Sequence, residues 1–201
     1  MNCRRHAPRG RHAHRPAFLK QSHGATLIEV LVSIVIVLVA LLGTAGMIAR
    51  SGQTEMESYQ RGQALTLLQD MAARLNANRQ VIGCYASSTT MTVAGSTTVA
   101  PPSCTGASDA QRAMVATDLA AWSAALLGSA EVQGGNRVGA MIGALGCIEA
   151  IDAANQIYRI SVAWQGLAQT AAPALPCGQG AFGNDAYRRA ISVDVRIGVL
   201  S

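Results

Sequence analysis

The sequence of 201 residues predicts an α+β fold in which a long N-terminal helix packs on a small antiparallel β-sheet. An apolar run passes without proline into an amphipathic one, and two later runs alternate with period two. Short connections between those strands favour antiparallel pairing, with the helix covering one face. The length allows one modest domain plus an anchor, and half of the residues are apolar.

Residues Met1 to His23 are rich in Arg, His and Pro and show no apolar periodicity, so they are read as a disordered leader that is processed and takes no part in the fold. From Val30 to Ala49, 20 residues carry no formal charge. That is roughly the helix length that crosses a bilayer of about 30 Å. Glu29 stands at the mouth of this span, where a carboxylate is costly unless it meets a cation. The leader's basic residues are expected to stay cytoplasmic, which sends the C-terminal part to the periplasm of a two-membrane bacterium. A secretory signal is the competing reading. Its cleavage site would follow the apolar core, where Gly43-Thr44-Ala45-Gly46 is the nearest small-residue cluster and no A-x-A site closes the span.

No proline occurs between Phe18 and Ala100, so a helix starting near Ala25 is expected to run to about Arg79, roughly 80 Å at 1.5 Å per residue. Its second half carries an apolar stripe of Leu65, Leu68, Met71 and Leu75, with Arg61, Gln69, Asp70, Arg74 and Asn76 largely off it. Gly43, Gly46, Gly52 and Gly62 each cost about 1 kcal/mol relative to Ala and mark where the helix is expected to bend or melt. The expected divisions are a leader over 1–24, a membrane helix over 25–49, its amphipathic continuation over 50–79, and a globular domain over 80–201.

Tyr85 to Ser103 is rich in Ser and Thr and reads as a polar loop or short hairpin. Ser108 opens a second helix, with Gln111 completing a capping-box pattern. Val115, Leu119, Trp122 and Leu126 line one face, Trp122 as a core anchor, and Gly128 supplies a stop. Cys147 to Ile151 reads as a short strand joined through Asp152 to Gln156 to the next. There Tyr158, Ile160, Val162 and Trp164 face one way and Arg159, Ser161 and Ala163 the other. Gly178 to Tyr187 is a loop before the last run, Ile191, Val193, Val195, Ile197 and Val199.

Six of the sixteen basic residues precede Gly24, so the remaining ten face eleven acidic ones. The body is near neutral, which argues against nucleic acid as a partner; Arg188-Arg189, its adjacent basic pair, reads as a solvated strand start. Lys20 is the only lysine, and His6, His12, His14 and His23 are the only histidines. A processed chain lacks both. Ser/His/Asp, Cys/His, His-metal and lysine-based sites are thereby excluded, and the scattered acids show no paired constellation. No enzyme activity and no cofactor are expected. Cys3 lies in the leader, leaving Cys84, Cys104, Cys147 and Cys177 as disulfide candidates. Four cysteines permit three pairings, of which sequence-neighbour pairing is preferred. Zinc competes, but the spacings contain no C-x₂-C knuckle and no metal is expected.

The basic leader ending in Gly24, followed by Ala25-Thr26-Leu27-Ile28-Glu29-Val30-Leu31, resembles the N-terminal signal of type IV prepilins. Arg61-Gly62-Gln63-Ala64, Leu68-Gln69-Asp70-Met71-Ala72, Arg74-Leu75-Asn76-Ala77-Asn78-Arg79, Asp118-Leu119-Ala120-Ala121-Trp122 and Val162-Ala163-Trp164 resemble the PilV-type minor pilins, also called type IV pilus modification proteins. The resemblance implies the type IV pilin fold and cleavage by prepilin peptidase between Gly24 and Ala25. It also implies N-methylation of Ala25, where the family usually carries Phe, and an assembly charge pair made by Glu29 with the α-amine of a neighbouring subunit. The implied partners are the peptidase, the major pilin and other minor pilins, the inner-membrane assembly platform and the membrane itself. The implied path runs from a single-pass inner-membrane protein to the pilus filament near its tip, with roles in pilus biogenesis, twitching motility and adhesion. A minor pseudopilin of a type II secretion system shares this logic, and a DNA-binding or host-adhesion module is the alternative from another class.

Overall fold

A computed structural model describes residues 24–86, 92–95, 104–129, 132–137 and 141–198 of the chain. The leader through His23, most of the Ser/Thr-rich segment and Val199 lie outside the described residues. The chain divides into two compact units, Met1–Gly46 and Met47–Ser201.

The first unit contains the start of helix α1, which spans Leu27–Ala77. The helix includes Gly43, Gly46, Gly52 and Gly62, and a Cβ added at any of them would meet nothing within 4 Å. It ends two residues earlier than expected. Asn78 leaves the helical conformation there, and a 3₁₀ segment, Arg79–Cys84, carries the chain away.

In the second unit, α1 buries Gln60, Ala64, Leu68, Met71 and Leu75. The stripe thus recurs at helical spacing but is shifted from the expected one: Leu65 is exposed, and Ala64 and Gln60 take the inner positions. The reason is a side-chain contact that periodicity does not contain. Trp164 is buried against this face and donates from Nε1 to Gln60 Oε1 at 3.2 Å, which satisfies a polar group in the core.

Four strands form the main sheet: β1 (Thr92–Ala94), β4 (Ile142–Asp152), β5 (Ile157–Gln165) and β6 (Arg188–Arg196), in the order β1-β4-β5-β6 and antiparallel throughout. Two short strands, β2 (Val132–Gln133) and β3 (Asn136–Arg137), pair separately. The strand expected at Cys147 to Ile151 is longer, because β4 accommodates register shifts at each end that let it follow β5. The turn between β4 and β5 is held by Asp152, whose carboxylate accepts from the Asn155 amide N–H at 3.0 Å and from Asn155 Nδ2 at 2.7 Å.

Helix α2, Asp109–Leu126, starts with a reciprocal capping box between Ser108 and Gln111. Val115, Leu119, Trp122 and Leu126 are buried with the inward residues of α1 and with Ile148, Tyr158, Ile160, Val162 and Trp164 of the sheet. Full burial of such side chains is worth about 1.5–3 kcal/mol each, so this shared core holds the unit together. Trp122 Nε1 donates to the Leu67 carbonyl at 3.0 Å, tying α2 to α1. At the centre of β4, Gly146 has no side chain because Trp122 occupies that space: a Cβ there would lie 2.3 Å from its ring.

The second sheet face is not simply solvated. Ser161 and Ala163, expected to point outward, are buried with Cys147 and Cys177. The connection from β5 to β6 folds across them, and a disulfide joins Cys147 to Cys177. Arg188 is 2% exposed, contrary to its reading as a solvated strand start. Its guanidinium donates to the carbonyls of Leu175 at 2.6 Å, Cys177 at 3.0 Å and Pro173 at 2.9 Å, and pairs with Asp185 at 3.1 Å. It is the internal clamp of that connection. A second disulfide joins Cys84 to Cys104.

Candidate functional site

Gly24, Ala25 and Thr26 precede the first turn of α1 outside any helix or strand, exposed to solvent. A peptide bond in that state is accessible to a protease, whereas one inside the helix is protected by its hydrogen bonds. Thr26 then caps the helix. Its carbonyl accepts from the amides of Glu29 at 3.0 Å and Val30 at 3.2 Å, and its hydroxyl lies 3.4 Å from the Glu29 amide.

Thr26 and Glu29 stand at the spacing of a capping box, in which the acid would return to the amide of the cap residue. Among the described residues the Glu29 carboxylate makes no ion pair or hydrogen bond, so it is not consumed by the cap. It sits where the helix dipole favours negative charge and remains available to an external cation. The sequence reading missed Thr26, although the Thr-x-x-Glu pattern ahead of an apolar run was there to be found. Ser33 satisfies its own hydroxyl by donating to the Glu29 carbonyl at 2.7 Å.

From Val30 to Ala49 the helix carries no charge, and every residue from Leu27 to Arg50 is exposed. Leu27 is 86% exposed and Leu42 75%. A monomer in water would forfeit about 1.5–3 kcal/mol for each such side chain, so this surface requires lipid or other helices around it. The helix is long and apolar enough to cross a membrane. No cluster of His, Cys, Asp or Glu that could hold a metal occurs among the described residues.

Within the second unit, a polar network joins α1 to α2. Asp118 accepts from Arg74 at 2.8 Å and from Asn78 at 2.8 Å, and from the Tyr85 hydroxyl. Arg74 also pairs with Asp70 at 3.0 Å. Burial, followed by the hydrogen bond to Asp118, pushes the Tyr85 phenol well above its ordinary pKa. The network closes the end of α1 beside the Cys84–Cys104 bridge. It is structural, and the candidate site remains the N-terminal turn.

Residues 46–125 match the family described as type IV pilin Tt1218, and residues 19–45 match the prokaryotic N-terminal methylation motif. The two matches adjoin, and the second covers Gly24, Ala25 and Glu29 together. No curated protein and no solved structure matches the chain.

Proposed function

We propose, from the premise that the chain belongs to the type IV pilins, that it is a minor pilin of the PilV type whose Glu29 enters an intersubunit charge pair during filament assembly. The family is one of structural filament proteins and not of enzymes. Prepilin peptidase cuts between Gly24 and Ala25 on the cytoplasmic side, and the new α-amine of Ala25 is methylated. The apolar part of α1 stays with the mature protein. It occupies lipid before assembly, with the globular part in the periplasm, and the filament interior afterwards.

The observation that carries this reading is the Glu29 carboxylate, without a partner among the described residues and in the first turn of a helix whose apolar surface from Leu27 to Ile48 is exposed. A freshly cut α-amine is cationic near neutral pH. In an apolar surrounding each group is costly alone, and the pair sets the axial register of one subunit on the next. As a minor subunit the protein supports priming of the filament near its tip, and through the filament twitching motility and adhesion. Its assembly partners are the major pilin, other minor pilins and the inner-membrane platform.

N-terminal sequencing of the membrane-extracted protein tests this reading. A mature start at N-methylated Ala25 is the expected result. An intact Met1, or a start beyond Thr44, overturns it.

A further inference from the structure

A cleft of about 440 Å³ opens in the second unit between α1 and the start of β6. Glu57 and Arg61 stand in its helical wall, Arg188 and Arg189 in the opposite one. Most of this charge is matched within the molecule. Arg189 donates to Glu57 at 3.1 Å, and Arg188 pairs with Asp185 at 3.1 Å. Arg61 differs: it is exposed and has no acidic partner among the described residues. The cleft therefore presents an unmatched guanidinium, whose fork of N–H donors suits a carboxylate.

The second unit also carries the complementary group. Glu55 is exposed and has no cation or hydrogen-bond partner among the described residues. Every other described carboxylate of that unit pairs with an arginine or, at Asp152, bonds to Asn155. Gly52, Glu55, Tyr59 and Gly62 follow at spacings of 3, 4 and 3, so they share one face of α1, and all four are exposed. A Cβ at Gly52 or Gly62 would meet nothing within 4 Å, so no contact among the described residues calls for glycine there. Glycine is unfavourable inside a helix, but two bare positions beside a carboxylate let another surface come close.

Glu55 and Arg61 do not meet within one chain. Six residues separate them, about 9 Å along the helix and about 120° around it. A second copy lying parallel and displaced by that length sets its Glu55 level with Arg61.

We propose that the cleft receives the Glu55 face of a second copy, with Arg61 of one subunit paired to Glu55 of the next. The proposal rests on the reading of the chain as a filament subunit. Opposite charge selects the partner and fixes its offset. Because the two surfaces differ, the contact is heterologous and continues from copy to copy instead of closing a pair.

The test expresses two differently tagged copies of the full chain in one cell and measures how much of one tag is recovered with the other from membranes and sheared filaments. Wild-type copies should be recovered together. Glu55→Arg in both copies, or Arg61→Glu in both, should reduce that recovery roughly fivefold. Glu55→Arg in one copy with Arg61→Glu in the other should restore it, because each junction between unlike copies again joins opposite charges, whereas two misfolded chains would not rescue each other. Recovery unchanged by either single reversal, or no rescue in the mixed pair, overturns the proposal. Wild-type copies that enter filaments without being recovered together also overturn it and leave the filament reading standing. A wild-type chain absent from filaments altogether removes that reading, and this contact with it.

Discussion

Two carboxylates with opposite surroundings divide the work of this chain. Glu29 has no partner within the described residues, whereas Asp118 collects Arg74, Asn78 and Tyr85 on its two oxygens. Removing Glu29 should therefore leave the globular part intact and remove assembly. Glu29→Ala is expected to reach the membrane, form its disulfides and be lost from sheared filaments; filament content equal to wild type would sink the charge-pair role. For the network the prediction concerns stability. Tyr85→Phe should cost about 1–3 kcal/mol, since Asp118 and Asn78 lose a buried partner. The raised phenol pKa adds a pH signature. The unfolded chain ionises Tyr85 near its ordinary value of about 10 while the folded chain keeps it neutral, so its contribution is complete below about pH 10 and declines above it. Urea titrations of both proteins across that range should show a shallower alkaline loss in the Phe variant.

At the scale of elements, close approach explains positions that propensity does not. Gly146 lies in the middle of a strand, where glycine is unfavourable, because Trp122 and Leu126 of α2 press on β4 there. A Cβ would stand 2.3 Å from the Trp122 ring and 2.7 Å from Leu126 Cδ1. Gly146→Ala should lower stability by about 1–3 kcal/mol in chemical denaturation, and an unchanged midpoint would show that α2 can withdraw freely. The shifted stripe of α1 has the same origin. Both Leu65 and Ala64 satisfy a helical period, but only the facing surface of β5, with Trp164 against Gln60, selects which of the two is inward.

At the scale of the whole molecule, the connection between β5 and β6 depends on side chains and a disulfide more than on strand pairing. Its residues are largely exposed, and it is held by the Cys147–Cys177 bridge and the buried Arg188. Replacing both cysteines by serine should cost about 3 kcal/mol for a loop of this length and expose the connection to limited proteolysis. Equal protease resistance in the variant would assign the restraint to Arg188, and to Arg189 through its bonds to Thr170 and Ala168, instead of to the bridge.

Much of this was legible in residue order. An uncharged run of bilayer length behind Glu29 and a basic leader, the Ser108–Gln111 cap, the Trp122 face and the alternation of β5 are local patterns, and local patterns determine which segments become helices and strands. Tertiary structure alone decided that Ser161 and Ala163 are covered, that Arg188 is a clamp and not a solvated start, and that Leu65 faces outward. These are properties of what lies opposite a residue. A period places a side chain on a face, but only the returning chain determines whether that face meets water, a cystine or a tryptophan.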